Sequence, residues 1–539
     1  MTGFDAGQLA VGAVDAQERE LVLISFLAFV ALSLLLCVMA GPEGDDTADF
    51  YAGNRSLSPR KNALALAGDY LSAATLLGTS GFVALSGYDG MALAVATALA
   101  LGGLLLVAGP LRRAGGYTLG DVFALRSPGP AARIAAAVIA LAISLPFLVV
   151  QLSAAGRATA LLIGLGNPGA EQVCTAFIGV LMVFYTVLGG MKGTSLVQIV
   201  KVTVAFTTMA ALAVWVLQHF DWSPAALLAA AAQGSGSPDT YLDPGRALGT
   251  DATGRLDFLG LQLSIVLGGA CMPHILMRIG TAGSGAAARE ATQRAVTLVA
   301  VFCCFVVIAG LGAAAVVGGR AITAVDGSGQ ASLMLLAAEL GEGKAGSALF
   351  VAVACTVFVT VLAVVAGIAL SAAAALAHDV YAHAVRGDRA TERDRVRAAR
   401  WSVAAVGSLS VVVTVTLQGY NVQGLIHLTL SLAAATVLPA CLYGMFWRRF
   451  NRTGLLCTVY GGLLCTVVLF LVSAAFSGSP DSLLPDRDLQ WIGLRSTALL
   501  AIPAGFLLGW AGSLLAPGGG RVTARAAVSR PRSSRHRPS

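Results

Sequence analysis

Charged residues are scarce in this sequence. Asp, Glu, Lys and Arg make up 12% of its 539 residues, about half of the roughly 25% usual in soluble domains. A water-soluble fold of that composition could not hide the 57% that is hydrophobic, whereas lipid can cover it. Cysteine motifs are lacking too. Cys37, Cys174, Cys271, Cys303, Cys304, Cys355, Cys441, Cys457 and Cys465 all fall in apolar runs, with no CxxC or Cys/His cluster. A disulfide framework and a zinc site are therefore not expected. No HExxH or GxSxG stands with its partners in place, and no acid, base and nucleophile converge within an apolar run, so the residues point away from an enzyme. No segment between the apolar runs has the length of a kinase or output domain, which argues against a sensor. The chain start lacks the basic stretch of a signal peptide; Asp5, Asp15, Glu18 and Glu20 make it acidic, and Leu21–Ala40 reads as a retained first helix.

What is present is a series of apolar runs about 20 residues long, the length that spans a bilayer as a helix. Thirteen spans are expected, at about 21–41, 62–86, 90–111, 133–162, 172–189, 195–219, 258–280, 293–318, 347–378, 399–418, 423–447, 454–476 and 492–515. With the N-terminus (1–20) outside, 26 of the 35 Lys and Arg fall on the cytosolic side and seven outside, as the positive-inside rule requires. Arg278 counts among the cytosolic ones. Lys192 and Lys201 read as topological charges, and Arg157 either snorkels to the outer interface or steers an anion. The net charge of +7 is spread over short loops and the tail, so it does not point to nucleic acid. Residues 516–539 read as a disordered basic cytosolic tail.

Two spans carry what a lipid-buried helix should not. In Asn62–Gly81, Asp69 is the single acidic residue well inside any span, where a carboxylate costs about 2.5–3.5 kcal/mol on insertion scales. It is either part of a coupling mechanism or a structural residue bonded to a neighbouring helix. In Phe258–Gly280, Gly268-Gly269 is followed by Pro273, which removes the hydrogen bond to residue 269 where glycines leave the chain free to open. The bland alternative is a proline kink. Spans two to six and seven to eleven form two sets of five with opposite topology, each starting with such a segment. Paired interruptions of that kind mark a secondary transporter's binding site. Half-helix N-termini there favour an anion, and freed carbonyls a cation.

At DFYAGNRSLSPRKNALALAGDYLSAA (Asp49–Ala74), GGMKGTSLVQIVK (Gly189–Lys201), MPHILMR (Met272–Arg278) and HDVYA (His378–Ala382), the chain resembles the sodium:solute symporter family in its cation/acetate branch. The resemblance implies an all-α membrane protein with a LeuT-type 5+5 inverted-repeat core. The repeats would be 62–219 and 258–447, with an extra first helix at 21–41 and two accessory helices at 454–515. It implies symport of acetate or another short monocarboxylate with Na+ or H+, without a cofactor; the Ala-, Arg- and Gly-rich composition points to a bacterial plasma membrane. A Na+-coupled amino-acid or sugar symporter of the same fold is the alternative.

For the sodium site the resemblance implies the carbonyls of Gly68 and Leu71 and two adjacent hydroxyls on the eighth core helix. Those positions are held here by Ala363 and Val364, which have no side-chain oxygen, while hard cations want several oxygen ligands. Thr360, Ser72 or Asp69 are substitutes; alternatively a proton rides on Asp69. Tyr70, Thr75, Gln151, Gly269, Met272 and Pro273 are the candidate substrate contacts. His274 and His427 are either proton relays or packing residues.

Overall fold

The computed structural model of the chain describes residues 16–41, 46–162, 168–249, 251–340, 343–387 and 389–516. The acidic start before residue 16 and the basic tail beyond residue 516 lie outside the described residues. Regular structure among the described residues is helical, with three isolated bridges such as Leu57–Ala282. In hydrocarbon a helix satisfies every backbone group within its own segment, and apolar runs of this length have no cheaper option.

The elements that build the bundle are α1 (Ala16–Ala40), α2 (Pro59–Tyr70), α3 (Ala74–Ser86), α4 (Tyr88–Arg113), α5 (Leu119–Ala124) and α6 (Pro130–Leu162). They continue with α7 (Pro168–His219), α8 (Ala252–Gly268), α9 (Pro273–Ile279), α10 (Gly285–Val316) and α11 (Gly346–Val385). The last are α12 (Glu392–Thr416), α13 (Gly424–Phe446), α14 (Arg452–Leu471) and α15 (Ala498–Leu515). By length and composition ten of these helices can cross a membrane, or eleven when the bent pair α8/α9 counts as one.

The difference from the expected thirteen has two sources. The spans at 172–189 and 195–219 run together as α7, whose 52 residues would reach about 78 Å if straight, more than twice the roughly 30 Å of hydrocarbon. They are separated by a kink at Gly190, with φ 50° and ψ −153°, a backbone that only glycine adopts cheaply. The span at 62–86 is divided into α2 and α3, each too short to qualify alone.

Burial orders the layers. On α1, Val22, Phe26, Val30, Ser33 and Cys37 are buried at helical spacing while Leu23, Ile24, Leu27 and Leu35 are exposed, so one face packs on the bundle and the other meets lipid. By contrast α11 is buried on all sides over most of its length, packed against α6 and α7. It is the central helix.

Both interruptions are present. Asp69 itself stays helical; the chain opens two residues later, at Leu71 (ψ 97°), and resumes through a wide turn at Ala74–Gly78. The break lies there because Leu71 N still bonds Ala67 O at 2.9 Å, closing the last turn of α2. In the second segment α8 ends at Gly268, one tight turn covers Gly269–Cys271, and Met272 is extended (ψ 131°) before Pro273 begins α9. The two pieces differ in direction by 41°. Pro at the first position of α9 is where its missing N–H costs nothing, and Met272 O accepts from Ile275 N and Leu276 N at 3.0 and 3.1 Å.

Candidate functional site

The two openings meet. A Cβ on Gly269 would lie 3.2 Å from the Tyr70 hydroxyl, and that hydroxyl donates to Thr97 O at 2.8 Å. Below this contact, Arg278 at the end of α9 reaches Asp69 on α2. Its Nε donates to Asp69 Oδ2 at 2.5 Å, Nη2 pairs with the same oxygen, and Nη1 donates to Ser195 Oγ. Asp69 Oδ1 accepts from Gln198 Nε2 at 2.5 Å, and the same nitrogen donates to Ala363 O at 2.9 Å. One carboxylate thus ties α2, α7, α9 and, through Gln198, α11.

The second half of α7 supplies three groups to this junction. Ser195, Gln198 and Lys201 follow at intervals of three and therefore share a face. Each is fully buried. Lys201 Nζ donates to Gly68 O at 2.6 Å and to Leu71 O at 2.5 Å, two of the carbonyls that the opening of α2 leaves without helical partners. Glycines permit the approach. A Cβ at Gly68 would come within 2.7 Å of Gln198 O, and one at Gly367 within 2.7 Å of Asp69 Oδ1.

Two basic residues are thereby relocated. The sequence reading sets Arg278 in a cytosolic loop and gives Lys201 a topological role; the structure buries them to 1% and 0% exposure. Their charges are spent inside the bundle, on a carboxylate and on freed carbonyls. Lys201 was legible as the third member of the Ser195–Gln198–Lys201 stripe. Arg278 lies four residues after His274, on the same face of a helix that Pro273 starts.

The remaining candidates are buried in the bundle, in different settings. Gln151, in mid-α6, is 1% exposed and neither of its amide atoms has a hydrogen-bond partner. One turn before it Phe147 stacks on the His274 ring at 5.9 Å, which brings α6 against the start of α9. Thr360 Oγ1 is likewise buried and unpartnered. Ser72 Oγ accepts from Thr75 N at 3.4 Å, and Thr75 is itself buried. Ala363 and Val364 are buried on α11. His427 lies apart on α13, its Nδ1 unpartnered.

A second polar cluster closes one end of the bundle. Arg133 Nη1 donates to Asp121 Oδ1 at 2.8 Å and to Asp379 Oδ1 at 3.2 Å. Thr118 Oγ1 donates to Asp379 Oδ1 at 2.7 Å, and His378 Nε2 lies 3.2 Å from Asp121 Oδ2. Asp121, His378 and Asp379 offer three ligand atoms within 4.8 Å of one another, but the Arg133 guanidinium already supplies the positive charge between the two carboxylates. Burial by itself pushes the Asp121 carboxyl up; the His378 hydrogen bond and charge, the Tyr117 amide and Arg133 outweigh it and hold the group well below the usual carboxylate range. The cluster fastens α5 to α6 and α11.

The pattern of the sodium:solute symporter family matches residues 50–462. The chain is 35% identical over 501 residues to a monocarboxylic acid transporter of Corynebacterium glutamicum, covering 91% of this chain and 90% of that one. It is 37% identical over 500 residues to the uncharacterized symporter YwcA of Bacillus subtilis, covering 91% and 93%. Among solved structures it is similar to a Na+-coupled sialic acid symporter, with a TM-score of 0.69 at 14% identity over 92% of this chain and 98% of that one. It is also similar to the nucleobase-cation-symport-1 family transporter Mhp1, with a TM-score of 0.52 at 14% identity over 88% and 95%. At such identities these structures establish the fold, the LeuT-type arrangement, and nothing about the solute.

Proposed function

Since the chain belongs to the sodium:solute symporter family, we propose that it is a cation-coupled symporter of a short monocarboxylate, acetate or a close homologue, working by alternating access. The observation that carries the reading is the charge at the junction of the two openings. Arg278 pairs with the one carboxylate of a buried cluster, Asp69, and Lys201 bonds the backbone carbonyls of Gly68 and Leu71 on either side of it. An ammonium and a guanidinium against one carboxylate leave one positive charge, and a buried charge is costly until it is matched. A monocarboxylate anion matches it.

Gln151 is the group that orients the solute. A buried amide with both atoms unpartnered costs about 1–3 kcal/mol, which a bound carboxylate returns by accepting from Nε2. Gly269, Met272 and Pro273 form the wall opposite, where the first amides of α9 add to the positive end of a half-helix; Tyr70 and Thr75 close the side of α2. The name of the C. glutamicum relative supports the monocarboxylate. The address is a bacterial plasma membrane, with the N-terminus outside and the basic loops in the cytosol.

The test is uptake of labelled acetate into proteoliposomes, with unlabelled propionate, pyruvate, proline and glucose as competitors. Suppression by the first two alone supports the reading. Suppression by proline or glucose favours an amino-acid or sugar symporter of the same fold.

A further inference from the structure

The resemblance seats the coupling sodium ion on the carbonyls of Gly68 and Leu71 together with oxygens from α11. The donor set of this chain fits such an ion poorly. Both carbonyls already accept from the Lys201 ammonium at 2.6 and 2.5 Å. Positions 363 and 364 are Ala and Val, which offer no side-chain oxygen, and the Ala363 carbonyl accepts from Gln198 at 2.9 Å. Ser72 Oγ is engaged by Thr75 N. Among the described residues, unpartnered side-chain oxygens remain at Thr356 and Thr360 on α11 and at Gln198 on α7, a few neutral oxygens that do not by themselves replace a hydration shell.

Lys201 is also a deliberate occupant. Its side chain is 0% exposed, so it cannot be snorkelling to an interface. It descends from α7 over glycine: a side chain at Gly68 would collide with Gln198 on the turn that carries it. A tethered ammonium brings the charge of Na+ to this place without its entropy of binding. A second monovalent cation about 4 Å from it would be disfavoured roughly a thousandfold at an effective dielectric near 20.

We propose that Lys201 is the resident cation of this site, in the place of sodium, and that the chain neither binds sodium nor needs it for transport. Lys201 is then a residue that determines coupling-ion specificity: it holds the opened end of α2 in the charged arrangement that elsewhere requires an ion. A proton gradient is left as the driving force. The transport consequence rests on the symport reading above; the binding consequence does not.

The experiment therefore has two arms. In the first, the full-length purified protein is equilibrated with radiolabelled sodium against a choline background, with and without acetate. No saturable sodium binding is expected; saturable binding in either condition overturns the proposal. In the second, proteoliposomes take up labelled acetate under a proton gradient with sodium either present or replaced by choline. Rates within about twofold of each other are expected, and a loss of about tenfold or more on sodium removal overturns the proposal. The variant Lys201→Gln, which keeps a hydrogen-bond donor one atom shorter than the ammonium and carries no charge, is expected to lose accumulation about tenfold or more while keeping a cooperative thermal transition. Accumulation equal to that of the parent overturns the role of the charge. Absence of acetate uptake under every gradient would count against the monocarboxylate reading and leave the sodium-binding arm to decide this one.

Discussion

Asp69 and Arg278 are separated by 209 positions in the chain and form a buried ion pair, with 2% of each side chain exposed. One stands at the last turn of the helix before the first opening, the other in the half-helix after the second. The pair is the direct bond between the two inverted halves at the level where both give up their helical hydrogen bonding.

Removing one member leaves the other charged and buried, at a cost of about 3–5 kcal/mol. Asp69→Asn and Arg278→Gln should each lower the thermal transition and abolish accumulation of labelled acetate. The double variant should recover much of the stability and none of the transport. Thermal melts of the three variants and the parent check this; a double variant as unstable as the sum of the singles would deny the coupling.

Gln151 behaves oppositely. Its amide has no partner to lose, so Gln151→Leu should leave the melting temperature unchanged or raise it. The apparent KM for acetate should rise about tenfold, the loss of one hydrogen bond to a charged group. Stability loss without a KM change would make Gln151 a structural residue.

Close packing around Asp69 predicts a steric phenotype. Gly367→Ala places a methyl group 2.7 Å from Asp69 Oδ1, and overpacking of this kind costs about 1–3 kcal/mol. Gly78→Ala has nothing within 4 Å of the added carbon and serves as the neutral control. Comparable melting temperatures for the two variants would contradict the geometry.

The Asp121 cluster gives a pH prediction. Its carboxyl is held below the usual range, so its folded value lies under the unfolded value of about 3.9. Stability from the ionised form is present above that unfolded value and fades as pH falls through the folded one. Asp121→Asn should cost about 3 kcal/mol, and its deficit against the parent should not shrink between about pH 8 and 5. Shrinkage begins only below about pH 4. A deficit that closes near neutrality would show that the group is not depressed.

Much of this was legible in the residues. Scarcity of charge gave the membrane class, Pro273 after two glycines gave the second opening, and Asp69 marked the first to within two residues. Gly68 and Ser72 are weak helix formers that bracket the opening, but its exact place at Leu71 was not readable, because Leu71 O is held by Lys201, a partner 130 positions away. Lys201 and Arg278 were assigned to topology because the positive-inside rule weighs where a charge falls along the chain and is blind to what it meets in three dimensions. At α7 the two expected spans, 172–189 and 195–219, form one continuous run of helix that a single φ at Gly190 divides between them.

The most direct measurement of the central claim is concentrative uptake of labelled acetate by proteoliposomes holding the parent chain or Asp69→Asn, under an imposed proton gradient. The parent should carry acetate inward to a level well above the passive leak of protein-free vesicles, and the variant should not exceed that leak. Parent vesicles indistinguishable from empty ones, or a variant that accumulates as well as the parent, would contradict a transport site built at the meeting of the two opened helices.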